Sequence, residues 1–196
     1  MSACGEFETF LTLNKTKGWE NMKKNTTHMV AFGGVIAALY VVLTIIAAAL
    51  GIASGAIQVR LSEALTILPV FTAAAVPGLT VGCVLANLIT GCAAWDVVFG
   101  SMATLLGAIG TRMLRDRPAI AWIPPVVSNM LIVPVVLMKV YGVDSVDVFG
   151  SVFNGDSLWI MLVVTVGIGE IIACGVLGML LYQALKKNPR ILEALN

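Results

Sequence analysis

Apolar runs extend from residue 29 to residue 185 and constrain the fold of this chain more than any other feature. Hydrophobic residues make up 59% of its 196 residues and charged residues 12%. That composition is too apolar for a water-soluble domain of this length. Because one crossing of a bilayer needs about 20 apolar residues, there is room for five or six crossings and for no separate soluble domain. The sequence therefore predicts an all-α integral membrane protein of about six transmembrane helices.

The boundaries of the apolar region divide the chain into three parts. A membrane domain is predicted over residues 28–186, between a polar N-terminal tail, 1–27, and a short C-terminal tail, 187–196. Met22 precedes two lysines in the manner of a natural start. Residues 1–21 are therefore either a native tail or an extension of the gene model.

Six spans are predicted inside the membrane domain. They cover residues 29–50, 61–76, 78–90, 95–114, 121–139 and 157–185. The second and third are short and are separated only by Pro77 and Gly78, so they are either thin, bent crossings or a re-entrant hairpin. A bend is expected at Pro69, because proline removes one backbone hydrogen bond.

Lysine and arginine predict the orientation. With the N-terminus inside, ten of the twelve fall on the cytoplasmic side, four in the N-terminal tail, three after the fourth span and three near the C-terminus. Only Arg60 and Lys139 are then outside. Because cytoplasmic connections carry an excess of these residues, both termini are predicted to be cytoplasmic. The outer connection from Gly51 to Arg60, rich in Gly, Ala and Ser, is a candidate lid.

Small residues recur at a spacing of four in the first span. Gly33 pairs with Ala37, and Gly34 pairs with Ala38. Small residues at this spacing let another helix approach closely. From the sequence alone, that helix belongs either to this chain or to another subunit.

Polar residues within apolar runs are the candidates for recognising a ligand. Arg60 and Glu63 share one side of a first helical turn, and they form either an anchoring salt bridge or part of a site. Glu170 lies about 20 Å into the last span, where an acid faces a cavity or a partner unless it is a protonated packing residue. The candidate substrate-binding residues are Arg60, Glu63, Asn87, Trp95, Asp96, Asn129 and Glu170.

Motifs for catalysis and metal binding are absent from the sequence. Cys4, Cys83, Cys92 and Cys174 show neither CxxC spacing nor a neighbouring His, so we predict no metal site and treat them as small core residues. There is no GxxxxGK[ST], HExxH or GxSxG motif, so we expect neither P-loop binding of ATP nor an enzyme. A net charge of +1 argues against a nucleic-acid surface.

A family resemblance is carried by the middle of the chain. The stretch RLSEALTILP is followed by a small-residue run up to PGL, then by CVLANLITG and WDVVFGSMATLLGA. This succession resembles the QueT family, from about Val30 to about Tyr182. Members are substrate-binding (S) components of energy-coupling factor (ECF) transporters. The resemblance implies a multi-pass protein of a prokaryotic plasma membrane that works with a transmembrane coupling subunit and two ATPase subunits.

The resemblance also implies a ligand and a docking surface. The ligand would be a queuosine precursor, a 7-deazaguanine such as preQ1, preQ0 or queuine. Its adjacent donors and carbonyl acceptor suit carboxylates and amides, and Trp95 or Tyr141 would cover the ring. In S components an AxxxA pattern on the first span docks the coupling subunit, and here the two small-residue pairs take its place.

Two other functions stay open at this point. One is a self-sufficient secondary transporter for a small solute, with Glu170 or Asp96 as its proton site. The other is a structural membrane protein that binds no small molecule. An S component takes up substrate only with its ATPase module, whereas a proton-coupled carrier works alone and stops when an uncoupler is added.

Overall fold

The computed structural model describes residues 3–52, 58–148 and 150–188, with side chains from residue 26 onward. Helix α1, Ala3–Ala49, contains the first predicted span and continues backwards as helix through the segment predicted to be a polar tail. Its part Thr26–Ala49 is long and apolar enough to cross a bilayer. Most of the predicted lid, residues 53–57, lies outside the described residues.

The second predicted span is a 3-10 helix, Leu61–Val70, and not the bent α-helix that we expected to reach residue 76. It ends where Arg112 donates hydrogen bonds to the carbonyl oxygens of Pro69 at 2.9 Å and Val70 at 3.4 Å. Such runs seldom exceed three or four residues, because their hydrogen-bond geometry is poorer than that of an α-helix. Seven of its ten residues are buried, so tertiary packing holds this winding.

Helix α2, Ala75–Ile89, begins earlier than predicted. The expected break at Pro77 and Gly78 is wrong, because both residues lie inside its first turns, where proline is tolerated. Gly78 does not break the helix and instead allows α1 and α2 to pack closely. A Cβ there would stand 2.7 Å from the carbonyl oxygen of Gly33, so α1 and α2 touch backbone to backbone.

Helices α3, Ala94–Met113, and α4, Ile123–Lys139, match the fourth and fifth predicted spans. A single 3-10 turn, Pro118–Ile120, joins them directly after the three arginines Arg112, Arg115 and Arg117. The first turn of α4 contains two prolines, at positions where no intrahelical donor is needed.

A β-hairpin lies between α4 and the last helix, in the connection between the fifth and sixth predicted spans, for which no strand was predicted. Strand β1, Ser145–Val148, pairs antiparallel with strand β2, Ser151–Asn154. Gly150 in the turn has φ +83°, and its N–H donates to the Asp147 carboxylate at 2.8 Å. β-branched and aromatic residues in both strands favour this pairing.

The last predicted span is one continuous helix made of three segments, which are α-helical, π-helical and again α-helical. Helix α5, Asp156–Glu170, passes into a π-helical segment, Ile171–Leu177, and then into α6, Gly178–Lys186. Its extent agrees with the prediction, but the π winding was not predicted. π-helical turns are uncommon and frequently lie at functional sites.

The helices pack in chain order, α1 on α2, α2 on α3, α3 on α4 and α4 on α5, around the 3-10 helix. Within the described residues, four helical stretches are long and apolar enough to cross a membrane, and the 3-10 helix and α2 are shorter apolar helices. Large apolar side chains such as Val30, Leu88 and Leu180 cover the outside. The prediction of an all-α membrane protein is therefore confirmed, with one small hairpin added.

Candidate ligand site

Glu63 is the centre of a polar cluster in the interior of the bundle. It occupies the third position of the 3-10 helix and is 0% exposed. Tyr40 of α1 donates its hydroxyl proton to Glu63 Oε1 at 2.5 Å, and Thr104 of α3 donates to the same oxygen at 3.5 Å. Three separate elements therefore converge on one carboxylate oxygen.

The second oxygen of this carboxylate is different. Glu63 Oε2 is buried and has no hydrogen-bond partner among the described residues. A buried acceptor without a partner costs about 1–3 kcal/mol, and more when it is charged. This oxygen is therefore positioned to accept a hydrogen bond or a cation that the described residues do not supply.

Glu170, at the end of α5, faces the same region. Cys174, one turn later in the π segment, donates to Glu170 Oε2 at 3.3 Å and to the backbone oxygen of Glu63 at 3.5 Å. Side-chain donor atoms of Glu63, Glu170 and Cys174 all lie within 4.8 Å of one another. Two predicted site residues that are far apart in the sequence are thus neighbours.

Asn129 of α4 completes the interior cluster. Its side chain is 1% exposed and lies close enough to the Glu170 carboxylate to interact with it. Neither its amide nitrogen nor its oxygen has a hydrogen-bond partner of good geometry among the described residues. Asn129 therefore has an amide beside the Glu170 carboxylate whose hydrogen bonds are not well formed within the described residues. The interior cluster comprises Tyr40, Glu63, Thr104, Asn129, Glu170 and Cys174.

Arg60 does not form the salt bridge that its spacing from Glu63 suggested. It interacts electrostatically with Glu63 and with Asp96, but the ion pair found within 4.0 Å in the described part of the chain joins Arg115 to Asp116. The anchoring salt bridge is therefore absent from this structure, and Arg60 acts on the acids only at longer range.

Asp96 and Asn87 form a second polar group, at the start of α3. Asp96 is buried and accepts a hydrogen bond from the Tyr141 hydroxyl at 2.8 Å. The same hydroxyl accepts the N–H of Ala93 at 3.2 Å. Burial, together with the hydrogen bond to Asp96, raises the pKa of Tyr141 to about 12. A Cβ at Gly100 would stand 3.2 Å from Asn87 Nδ2 and 3.4 Å from Asp96 Oδ1, so all three residues meet.

The aromatic residues proposed as ring covers lie elsewhere. Trp95 is 63% exposed and stacks on Phe99 at 5.9 Å, away from the interior cluster. Tyr141 is used to hold Asp96. The structure therefore brings Glu63, Asn129 and Glu170 together, and it separates Trp95 from them.

The segment that leads into the 3-10 helix rests on α5. Gly169 has no room for a Cβ, because the carbonyl oxygen of Gln58 would occupy the same space. Gln58 also lines a cavity of about 130 Å³ beneath the hairpin, together with Val146 and Thr165. Val166, which also lines this cavity, lies four residues before Glu170 on α5.

Comparison with known proteins identifies the family. The sequence model of the QueT transporter family matches residues 30–187. This chain belongs to the QueT transporter family. The matched range contains every residue of the interior cluster, and membership in a family of transporters confirms that the chain is not an enzyme.

A curated relative supports the same assignment. The "Queuosine precursor transporter QueT" of Lactococcus lactis subsp. cremoris (strain MG1363) is 35% identical over 97 residues, which are 49% of this chain and 56% of that protein. The alignment therefore spans about half the length of each QueT chain. No solved structure matches this one.

The two small-residue pairs of this QueT chain face in different directions. Gly33 and Ala37 are buried against α2, where they meet Gly78 and Gly82 at backbone distance. Gly34 is exposed and has nothing within 4 Å of a built Cβ. Ala38 is exposed as well. Internal packing therefore accounts for the first pair, and the second pair remains available to another helix.

Three members of the interior cluster were not predicted as site residues from the sequence, namely Tyr40, Thr104 and Cys174. Tyrosine, threonine and cysteine are all tolerated in apolar helices, so none of them marks a site by composition. Tyr40 carried the best signal, because a tyrosine in mid-span needs a partner for its hydroxyl.

Proposed function

We propose that this QueT-family chain is the substrate-binding component of an ECF-type importer and that it binds a queuosine precursor in the interior cluster. It would lie in the plasma membrane of a prokaryote, with both termini cytoplasmic, and would work with a transmembrane coupling subunit and two ATPases. The Lactococcus lactis relative is a queuosine precursor transporter, which supports this class of substrate.

The observation that carries the ligand site is the set of unpartnered buried polar atoms. Glu63 Oε2 needs a donor, and Asn129 offers one donor and one acceptor. A 7-deazaguanine has adjacent N–H donors on one edge and a carbonyl acceptor beside them. A carboxylate accepts both donors and an amide pairs with the rest, so the ligand supplies the groups that the interior lacks.

A groove on the outside of the bundle supports a helical partner. It has a volume of about 410 Å³ and lies between α1 and the start of α2, with Gly34, Pro77 and Val81 among its lining residues. Small residues at its floor allow the close backbone approach on which helix association in membranes depends. The absence of a P-loop motif from the sequence agrees with energy supplied by a partner.

The test of the ligand site is a binding titration of the purified chain with queuine, the aminomethyl and nitrile deazaguanines, and guanine. Glu63→Gln should weaken binding of the preferred deazaguanine by about ten- to hundred-fold, because an amide replaces the free acceptor with a donor in one orientation. The matched control is Asp116→Asn, which makes the same chemical change on an 89% exposed side chain. Equal affinities in both variants would remove Glu63 from the site.

A proton-coupled carrier is the second candidate, and the close approach of Glu63 and Glu170 is the observation that favours it. Two buried carboxylates at this distance seldom ionise together, and such pairs act as proton relays in carriers. Uptake by vesicles that contain this chain alone, and its loss with an uncoupler, would establish that function. Uptake that requires the ATPase module and ATP would establish the importer.

A further inference from the structure

The Glu63, Glu170 and Cys174 side chains form a buried group, and Arg60, which interacts electrostatically with both acids, lies beyond ion-pair distance. One donor atom of each lies within 4.8 Å of the others, and all three side chains are buried. Their hydrogen-bond donors are neutral, namely the Tyr40 and Thr104 hydroxyls and the Cys174 thiol. Along the described chain, neither acid has a basic nitrogen within 4.0 Å. Buried acids need a proton, a partner or a metal ion to offset the loss of hydration.

A buried amide side chain of α4 lies beside the same group. Asn129 is almost fully buried, interacts with the Glu170 carboxylate, and leaves its amide oxygen without a hydrogen bond. Glu63 Oε2 is likewise unpartnered. Two carboxylates and a thiol therefore surround one small volume with the Asn129 side chain beside Glu170, and Glu63 Oε2 and Asn129 Oδ1 both lack a hydrogen-bond partner among the described residues.

The winding of the last helix brings two of these donors together. Glu170 is the last residue of α5, and Cys174 lies in the π segment that follows it. Their separation of 3.3 Å already matches the spacing of ligand atoms around a zinc ion, which is about 3.5 Å for bonds of about 2.0–2.3 Å. The remaining donors must draw in by about 1 Å, a movement that rotation of the glutamate side chains can supply.

We infer that Glu63, Glu170 and Cys174, with the Asn129 amide oxygen, bind one divalent cation of the thiol-preferring class, such as Zn²⁺. Mixed sulfur and oxygen donors select zinc or cadmium over magnesium and calcium, which prefer oxygen alone. On binding, the Cys174 thiol and the protonated one of the two glutamates each lose a proton to solvent and bond to the metal, so about two protons are released for each ion bound.

The cation site overlaps the proposed ligand site at Glu63, Asn129 and Glu170. The ion and a deazaguanine therefore exclude each other, and zinc acts as a competitive regulator of substrate binding. This regulatory step rests on the proposed function, whereas cation binding by itself does not. No metal site was predicted from the sequence, because the donors come from the 3-10 helix, α4, α5 and the π segment and form no local motif.

The experiment uses the full-length chain in detergent, stripped of metal by a chelator and titrated with Cd²⁺, with Mg²⁺ as the ion that should not bind. Cadmium–thiolate bonds absorb in the ultraviolet, so the wild type should develop this band with a stoichiometry of about one. Cys174→Ser should lose the band and weaken Zn²⁺ binding at least about tenfold. The control is Cys92→Ser, a free cysteine that contacts Thr90 and lies outside the interior cluster, and this variant should keep both.

The outcomes separate this inference from the proposed function. The absence of a thiolate band in the wild type overturns the cation site, and this test does not depend on the folding of any variant. A band that survives Cys174→Ser also overturns it. A deazaguanine titration of the stripped protein, repeated with saturating Zn²⁺, should show an affinity at least about tenfold lower with the metal. Deazaguanine binding without a cadmium band supports the proposed function and excludes the cation site. A cadmium band without deazaguanine binding supports the cation site and contradicts the proposed function. Unchanged affinity with zinc bound overturns the competition.

Discussion

Tyr40 is the residue that fixes the Glu63 carboxylate, although it lies in the middle of an apolar helix. Tyr40→Phe keeps the ring and removes the 2.5 Å hydrogen bond to Glu63 Oε1. We expect the free energy of unfolding to fall by about 1–3 kcal/mol, because a buried acceptor oxygen loses its closest donor. Thermal unfolding in detergent measures the change. Tyr182→Phe is the control, since the Tyr182 ring stacks on Phe71 and the substitution preserves the stack; equal shifts in both variants would contradict the prediction.

Glu170 should accept hydrogen bonds from the ligand. Glu170→Gln places an amide donor where a ligand donor should point, so affinity for the preferred deazaguanine should fall about ten- to hundred-fold. Glu170→Leu should bind more weakly still, yet the folded protein should stay about as stable, because an apolar group removes a desolvation cost. Tight binding by Glu170→Gln in a normally folded protein would make Glu170 a packing residue.

Tyr141 gives a prediction that depends on pH. The hydroxyl proton is held more tightly in the folded protein, where the pKa is about 12, than in the unfolded chain, where tyrosine has a pKa of about 10. The stabilisation from Tyr141 is therefore complete below about pH 10 and is lost as pH rises to about 12. The stability difference between wild type and Tyr141→Phe should be constant near neutral pH and shrink above about pH 10. Denaturant unfolding at several pH values measures this stability difference. A difference that grows with pH would contradict the prediction.

At the scale of elements, apolar runs predicted the positions of the long helices because span length and hydropathy are properties of a local segment. The 3-10 winding of Leu61–Val70 and the π winding of Ile171–Leu177 were not predictable in this way. Both windings depend on neighbours that pack from distant parts of the chain. Likewise Glu63 and Glu170 could each be singled out as acids in apolar runs, but their contact through Cys174 arises only in the folded bundle.

The α1–α2 contact gives a prediction with an internal control. Gly78→Ala places a methyl group 2.7 Å from the carbonyl oxygen of Gly33, so the helices must separate, at a cost of about 1–3 kcal/mol in stability. Gly34→Ala is the same substitution at a position with nothing within 4 Å, and it should be neutral or slightly stabilising because alanine favours helix. Melting temperatures of the two variants decide it. A Gly78→Ala variant as stable as Gly34→Ala would show that the helices adjust freely.

At the scale of the whole molecule, the exposed pair Gly34 and Ala38 should decide coupling without affecting ligand binding. Gly34→Leu or Ala38→Leu should abolish uptake by vesicles that contain the ATPase module, because a bulky side chain blocks close helix approach. Ligand affinity of the isolated chain should not change. Val35→Leu is the control, since Val35 is 59% exposed on the same helix and is already large. Loss of ligand binding together with uptake would contradict a coupling role.

The winding of the 3-10 helix bears on how the protein fits its bilayer. Ten residues extend about 20 Å at the 3-10 rise but only about 15 Å at the α-helical rise. A segment that is short by residue count therefore gains about a third in reach by its backbone geometry alone. Because seven of these ten residues are buried, the extra length is fixed by packing inside the protein and not by tilting against the lipid.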